Sequence, residues 1–484
     1  MTLARDLVLL KRGAAINVLG AVGRLALAAS PLLGVRLFGD AYGALALNLA
    51  GVGIVAFFCS AGFSDAVQFL CAHDGDRVLD AAQRERMAGV VLIAMTLSGL
   101  LALIASLSLH FWGTPIGRLA FGRSDLGRLL SVVSLGIPFV AVTAIATAAL
   151  RSSMRMGGDV FVKSFVIPIF FLGGALFARR FTVDPVGMAW AYVLAQAVGA
   201  LFALAILARK IPLSHPVRAI QGAPLRALMK FALPQSLNMA LYQATFDLDI
   251  VLLGAAGTPD RLLGAYRVAS EVSRQIFTIR VTFAGAYASL VARLQHEGRA
   301  TALSDSIGIV TGWCVQIAAP VGILFIMHRD DLFTLAHFAD VPSTFFVVLV
   351  FGSVCSCAFG LTGNVLGMTG HPALNLVNAV GATGFNVLGN LLLVPHHGLM
   401  GAAIATTTGL CITQMAQVFE TRVWLGVRLP LLPIARPVAQ CALAVLTALV
   451  LQWLLDLQFR WQLSIAFVLA YGLFFFAFRK RRIA

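Results

Sequence analysis

The sequence predicts an all-α polytopic integral membrane protein with about 14 transmembrane helices. Hydrophobic residues make up 59% of the 484 residues and charged residues only 12%, about half the charged fraction of a typical soluble domain. Apolar runs of about 20 residues, the length that crosses a bilayer as a helix, recur along the whole chain. The basic residues lie in the short segments between these runs, which is typical of membrane proteins.

The candidate spans are apolar runs bounded by charge, proline or glycine. They fall at about 13–34, 43–71, 87–111, 129–150, 160–178, 186–208, 231–254, 263–292, 305–327, 343–366, 373–394, 399–419, 433–455 and 462–478. The eighth run is the most polar, since it contains Arg267, Glu271, Arg274 and Arg280. The first run is too long for the apolar region of a signal peptide, so we interpret it as a span.

The spans divide into two groups of six and a final pair, because a basic stretch with three prolines separates the sixth from the seventh. The segment 184–189 before the sixth span resembles 396–403 before the twelfth. An even number of spans in each half indicates a parallel repeat, and hence two pseudo-symmetric six-helix lobes facing a central cavity. The predicted divisions are an N-terminal lobe at 1–210, a basic cytoplasmic linker at 211–230, a C-terminal lobe at 231–420, and spans 13 and 14 with a basic cytoplasmic tail at 421–484.

The distribution of lysine and arginine predicts the orientation. With a cytoplasmic N-terminus, the cytoplasmic segments hold roughly 23 of these residues and the opposite segments about 9. We therefore expect a multi-pass protein of the bacterial inner (plasma) membrane with both termini in the cytoplasm. The net charge of +15 does not indicate nucleic-acid binding, because the basic residues are spread over many loops rather than gathered on one stripe.

Motifs for catalysis, metals and cofactors are missing from the sequence. The seven cysteines form no CxxC pair, and the histidines lack HExxH spacing. The segment before Lys163 and Ser164 lacks the glycine that a phosphate-binding loop requires. We expect a protein that is not an enzyme and needs no metal or cofactor.

Two segments resemble the multidrug/oligosaccharidyl-lipid/polysaccharide exporter superfamily. Segment 11–17 (KRGAAIN) with 35–43 (VRLFGDAYG) resembles its first span and the following turn. Segment 386–395 (NVLGNLLLVP) with 398–406 (GLMGAAIAT) resembles its N-x3-N-x-x-L-I-P…G-x-x-G-A-A-x-A-T pattern. The chain is most similar to Wzx-type polysaccharide flippases, and the resemblance covers the fourteen-span layout.

This resemblance implies a transporter that moves undecaprenyl-pyrophosphate-linked oligosaccharide repeat units from the cytoplasmic to the periplasmic leaflet by alternating access. The product would serve surface polysaccharides such as O-antigen, capsule or exopolysaccharide. The implied partners are the lipid-linked substrate, membrane lipids, and a polymerase with other assembly proteins. A cation-coupled multidrug exporter and a lipid II flippase remain alternatives, as does a membrane-embedded glycosyltransferase or polymerase.

Ionisable residues inside spans are the candidate site residues, because each costs a few kcal/mol to insert. Arg267, Glu271 and Arg274 have i, i+4, i+7 spacing and share one helical face. We interpret them as a cationic cavity wall for the substrate's pyrophosphate, and a structural ion-pair cluster is the alternative. Arg24 and Asn17 share a face of the first span and are candidates for the same cavity.

The seventh span carries a polar stripe at helical spacing. Its members are Gln235, Asn238, Tyr242, Thr245 and Asp249, as expected for a helix that lines a cavity. Asn238 and Tyr242 are candidate substrate contacts. Asp249 is a candidate for ion or proton coupling or for pairing with an arginine, and Asp247, on a different face, is a second candidate. The asparagines of span 11, which include Asn386 and Asn390, are expected to bond across helices.

Overall fold

The structure is a computed structural model that describes residues 30–71, 81–152, 157–181, 184–209, 220, 224–296, 300–369, 372–455 and 459–480. All the regular elements in these ranges are helical, which confirms the predicted all-α class. The α-helices are α1 (Ser30–Phe38), α2 (Tyr42–Leu70), α3 (Ala81–Phe121), α4 (Ser124–Val133), α5 (Ile137–Ser152), α6 (Gly157–Phe161), α7 (Ile167–Arg179), α8 (Val186–Ala208), α9 (Leu225–Ala255), α10 (Asp260–His296), α11 (Ala300–Met327), α12 (Arg329–Leu335), α13 (Thr344–Phe359), α14 (Leu361–Met368), α15 (Pro372–Leu425), α16 (Leu432–Leu455) and α17 (Arg460–Lys480). Short 3-10 turns at Gly39–Ala41 and Ser134–Gly136 and a π-helical segment at Val162–Val166 connect some of them.

Within the described ranges, nine helical stretches are long and apolar enough to cross a bilayer, or ten when the bent pair α13–α14 forms one span. The 54-residue α15 would measure about 80 Å if straight, more than twice the hydrocarbon thickness of a bilayer. It therefore supplies two spans. The more polar α9 and α10 correspond to predicted spans 7 and 8. Most of the first predicted span lies before residue 30, outside the described residues.

Two glycines with positive φ lie at breaks between helical segments. Gly398 interrupts α15 with φ of 52° and ψ of −128°, a backbone conformation that is strained for a residue with a side chain. Gly39, at the end of α1, has φ of 60° and begins the turn into α2. Both glycines lie in segments that resemble the exporter superfamily, and their backbone conformations explain why glycine occupies these positions.

The described residues form two compact units. The first unit contains 30–268 and 386–402, and the second contains 269–385 and 403–480. These bounds differ from the predicted lobes at 1–210 and 231–420, which remain a prediction. One reason for the difference is that α9, the predicted start of the C-terminal lobe, packs closely on α2 inside the first unit.

The packing of α2 on α9 is antiparallel. The rings of Phe69 and Phe231 stack with centroids 5.0 Å apart at one end of the pair. Farther along, Leu47 contacts Gly254. Between these points, a Cβ on Gly62 would collide with the backbone of α9, so glycine permits the close approach of the two helices.

In the second unit, the predicted span 10 is broken. Helices α13 and α14 meet at a bend of 41° around Gly360. Arg280 is 8% exposed, its guanidinium carbon lies 4.3 Å from the Phe277 ring centroid, and its Nη1 donates to the Gly360 carbonyl at 2.6 Å. Arg280 thus adds a side-chain donor to the carbonyl at the bend.

Candidate coupling and substrate site

A carboxylate inside the first unit is held by three helices. Asp249 of α9 is 1% exposed. Its Oδ1 accepts hydrogen bonds from Asn386 Nδ2 at 2.9 Å and from Asn390 Nδ2 at 3.1 Å, both on α15. Its Oδ2 accepts from the Tyr266 hydroxyl of α10 at 2.6 Å. Three donors on a fully buried carboxylate are what a charged group requires in an apolar interior.

Beside this carboxylate lies a buried amide oxygen. Asn390 is 1% exposed, and its Oδ1 finds no hydrogen-bond partner among the described residues. The neighbouring Asn386 Oδ1 accepts from Asn390 Nδ2 at 3.3 Å. Carboxylate and amide oxygens are the ligands that hard cations prefer. Across the described ranges, however, no three His, Cys, Asp or Glu side chains group as a metal site would require.

Asp247 and Arg267 form a separate buried pair in the first unit. Arg267 Nη1 lies 2.8 Å from Asp247 Oδ1, with side chains that are 16% and 3% exposed. Gln243 donates a short hydrogen bond to the other carboxylate oxygen. The sequence placed Arg267 beside Glu271 on one helical face, and the structure adds a carboxylate partner from the neighbouring helix.

Arg274 and Glu271 lie together in the second unit. Arg274 Nη1 is 3.8 Å from Glu271 Oε2, at i, i+3 spacing, and the side chains are 20% and 18% exposed. The two candidate arginines of α10 therefore each have a carboxylate within ion-pair distance. The role of these residues in substrate binding remains a prediction.

The polar stripe of α9 passes through different environments. Asn238 Nδ2 donates to Gln235 Oε1 at 3.5 Å. Tyr242 is 37% exposed, and its ring meets that of Phe246 edge to face at 5.5 Å. Thr245 is buried and donates to a carbonyl of its own helix. Only part of the predicted stripe is accessible within its unit. Asn17 and Arg24 lie outside the described residues.

A comparison with protein-family models identifies the family of this chain. The model of the polysaccharide biosynthesis protein family matches residues 10–288, which is more than half of the chain. The chain belongs to the polysaccharide biosynthesis protein family.

Solved structures share the fold of this chain. The lipid II flippase MurJ, in an inward closed conformation, matches with a TM-score of 0.72 and 14% identity over 99% of this chain and 100% of its own. A multidrug resistance MATE family transporter of the MOP superfamily, inward-facing, matches with a TM-score of 0.67 and 16% identity over 84% and 94%. The eukaryotic MATE transporter AtDTX14 matches with a TM-score of 0.67 and 14% identity over 87% and 96%. A comparison with curated proteins finds no significant match.

The family match agrees with the polysaccharide-related resemblance recognised in the sequence. The solved structures also confirm a multi-pass membrane protein with the MATE-like and MurJ-like helical fold. The relatives are transporters and flippases rather than enzymes. At 14–16% identity, the solved structures establish the fold only.

The sequence interpretation missed a second polar cluster in the first unit. Asp65 Oδ2, on α2, accepts from Gln235 Nε2 at 2.8 Å. Asp159 lies 3.0 Å from Lys163 Nζ and 3.3 Å from Arg151 Nη1. Lys163 belongs to the π-helical segment, a distortion that is frequent at functional sites. The available signal was Asp65 itself, a carboxylate within an apolar run.

Proposed function

We propose that the protein flips undecaprenyl-pyrophosphate-linked oligosaccharide repeat units from the cytoplasmic to the periplasmic leaflet, for the synthesis of a surface polysaccharide such as O-antigen, capsule or exopolysaccharide. The match to the polysaccharide biosynthesis family over residues 10–288 carries this proposal. The fold that the chain shares with a lipid II flippase over 99% of its length supports it. The mechanism is alternating access by the two six-helix lobes.

The substrate's pyrophosphate is recognised by arginines. Arg267 and Arg274 hold carboxylates at 2.8 and 3.8 Å, and a pyrophosphate offers guanidinium forks the same oxygen chemistry with more negative charge. We propose that the head group displaces Asp247 from Arg267 and engages Arg274. Arg24 and Asn17 of the first span, with Asn238 and Tyr242, contribute further contacts. Glu271 limits repulsion between the cations when the site is empty.

Asp249 couples transport to an ion. A proton or a hard monovalent cation would bind the buried carboxylate of Asp249 and compete with the amide N–H groups that Asn386 and Asn390 donate to it. Because Asp249 and its donors join α9, α10 and α15, filling or emptying this site changes the contacts between three helices. This gives an ion gradient a physical means of biasing the protein between two states.

The protein acts in the bacterial inner membrane with both termini in the cytoplasm. This orientation brings the basic linker and tail to the side where lipid-linked oligosaccharides are made. A polymerase and other polysaccharide-assembly proteins would consume the flipped product. The polyprenyl tail of the substrate remains in lipid while the head group crosses.

The direct test is transport by purified protein in liposomes. A fluorescent undecaprenyl-pyrophosphate oligosaccharide is placed in one leaflet, and its appearance in the other is followed by a membrane-impermeant quencher. The wild type is expected to flip the lipid, and the Arg267→Gln and Arg274→Gln variants at least tenfold more slowly. Arg128→Gln, which changes an exposed arginine outside the site, is the matched control.

Several outcomes would contradict the proposal. Full activity of both arginine variants would eliminate the cationic site. Flipping of lipid II but not of the oligosaccharide lipid would identify a lipid II flippase. Increased drug susceptibility of a deletion strain, with normal surface polysaccharide, would identify a multidrug exporter.

A further inference from the structure

Arg123 joins two connections that are far apart in the chain of the first unit. It lies between α3 and α4 and holds Asp260, the first residue of α10, through Nη1–Oδ1 at 2.6 Å and Nη2–Oδ2 at 2.8 Å. Its Nη2 also contacts Asp125 Oδ2 at 2.5 Å. The bidentate geometry gives directional strength that a single-contact surface pair does not have.

A second ion pair lies beside the first in the sequence of α10. Arg261 Nη1 is 2.7 Å from Asp40 Oδ1, in the turn between α1 and α2. The backbones are also close here, because a Cβ on Gly43 would collide with the carbonyl of Asp260. The α1–α2, α3–α4 and α9–α10 connections are therefore held together by five charged side chains and by the close approach of Gly43 to Asp260. The side chains are those of Asp40, Arg123, Asp125, Asp260 and Arg261.

In the predicted span order, these three connections face the same side of the membrane. Each follows an odd-numbered span of the predicted order, namely spans 1, 3 and 7, so all lie opposite the cytoplasmic N-terminus. Two of them belong to the predicted N-terminal lobe and one to the C-terminal lobe. All of them lie in the first compact unit of the structure, so the contacts would break only in the lobe separation of the alternating-access cycle proposed above.

We propose that Asp40, Arg123, Asp125, Asp260 and Arg261 form an ion-pair latch that keeps the non-cytoplasmic side of the transporter closed and opens once in each cycle. This proposal rests on the alternating-access flippase proposed above. It assigns a gating role to residues outside the substrate and coupling sites.

The environment of the latch suits a contact that opens reversibly. The side chains of Arg123 and Asp260 are 37% and 20% exposed, and those of Arg261 and Asp40 are 35% and 58% exposed. Water at the latch screens the pairs and solvates the charges as they part. The carboxylates of Asp260 and Asp125 raise the pKa of Arg123, so its guanidinium stays charged throughout the physiological range. Salt rather than pH is therefore expected to weaken the latch.

The chain contains a matched control pair. Arg128 Nη1 lies 3.9 Å from Asp184 Oδ2, with side chains that are 72% and 45% exposed. Both residues belong to the predicted N-terminal lobe, and their connections, after spans 3 and 5, face the same side as the latch. The pair matches the latch in charge type and side but does not link the two predicted lobes.

Cross-linking tests whether the latch must open. Asp40→Cys/Arg261→Cys protein in liposomes is treated with a short, reducible bifunctional thiol reagent. We expect flipping to fall more than tenfold and to recover on reduction, whereas cross-linked Arg128→Cys/Asp184→Cys protein keeps its activity. Each single-cysteine variant is treated in parallel to account for native cysteines. Undiminished flipping by the cross-linked latch variant would overturn the proposal.

A labelling assay tests the latch without transport. Ala44 is 3% exposed at the start of α2, next to Gly43, and Ala44→Cys reports opening by its reaction with an impermeant maleimide. We expect Arg123→Gln to raise the labelling rate roughly 3- to 10-fold and Arg128→Gln to leave it unchanged. An unchanged rate in Arg123→Gln would contradict the latch. If labelling responds as expected but no oligosaccharide lipid is flipped, the latch stands and the proposed substrate is wrong.

Discussion

Tyr266 donates its hydroxyl hydrogen to Asp249 Oδ2 at 2.6 Å and so joins α10 to a carboxylate of α9 that is only 1% exposed. Because the acceptor is a buried carboxylate, removing this donor in Tyr266→Phe is expected to cost about 1.5–3 kcal/mol of stability. The measurement is the thermal unfolding of purified protein in detergent.

The control for this variant is Tyr287→Phe. Tyr287 is equally buried, but its hydroxyl contacts the neutral Ser306 Oγ at 3.3 Å. The expected loss is about 0.5–1.5 kcal/mol. Equal destabilisation by the two substitutions would show that Asp249 does not depend on Tyr266.

The buried pair of Asp247 and Arg267 predicts non-additive substitutions. Asp247→Asn leaves a buried guanidinium without its carboxylate, at an expected cost of about 3–5 kcal/mol. Arg267→Gln leaves the carboxylate and should cost a similar amount. The double variant should be more stable than either single one, as measured by thermal unfolding of all four proteins. Simple addition of the two losses would contradict a direct interaction.

Gly360, at the break of span 10, has no room for a side chain. A Cβ there would collide with Arg280 Nη1. We expect Gly360→Ala to destabilise the protein by about 1–3 kcal/mol through overpacking. Gly381→Ala is the control, since a Cβ on Gly381 meets nothing within 4 Å, and it should be neutral or stabilising. The measurement is the thermal unfolding midpoint of each variant. Equal midpoints for Gly360→Ala and Gly381→Ala would show that a side chain at position 360 does not collide with Arg280.

Asp330 predicts a pH dependence of stability outside the spans. The hydrogen bond from the Ser343 hydroxyl, at 2.6 Å, lowers the pKa of Asp330, and Arg460 at 2.9 Å acts in the same direction against partial desolvation. A carboxyl group with a lowered folded-state pKa stabilises the protein above its unfolded pKa of about 3.9. That contribution is lost as the pH falls through the folded-state pKa.

The test compares Asp330→Asn with the wild type. The difference between their thermal midpoints should be largest at pH 6 and should shrink as the pH is lowered to 3. Ser343→Ala removes the hydroxyl that donates to Asp330, and it should lower the thermal midpoint at pH 6 by less than Asp330→Asn does. A midpoint difference that is constant with pH would contradict the role of the Asp330 charge.

Cys355 and Cys411 predict an oxidative cross-link within the second unit. Their Sγ atoms lie 3.3 Å apart, on α13 and α15. Mild oxidation is expected to join them and to lower the number of thiols that react after denaturation from seven to five. Cys355→Ser protein should retain all six of its thiols. Oxidation that consumes no thiols in the wild type would show that the two sulfurs do not meet.

The sequence predicted the class of fold and most of its spans. Hydrophobic length and the placement of charge are local properties, so they could be read without knowing which helices touch. The same reasoning identified Asp249, Asp247 and Arg267, because an ionisable residue in an apolar run is costly wherever it lies. It also identified Asn386 and Asn390, through the resemblance and through their spacing.

The partners of these residues were not predictable. Helical spacing compares residues a few positions apart, which is why Arg267 was grouped with Glu271 and Arg274. Asp247, its partner at 2.8 Å, lies 20 residues earlier on another helix. The asparagines that hold Asp249 are 137 and 141 residues away from it.

The sequence by itself determined that this chain crosses a membrane many times as helices, that it carries costly charges inside them, and that it resembles polysaccharide flippases. Only the tertiary structure decided which charges neutralise one another, that span 10 bends at Gly360 where Arg280 contacts it, and that Arg123 reaches Asp260. The physical reason is range. Burial in lipid acts on each segment separately, whereas an ion pair or a hydrogen bond exists only when packing brings two distant side chains within about 3 Å.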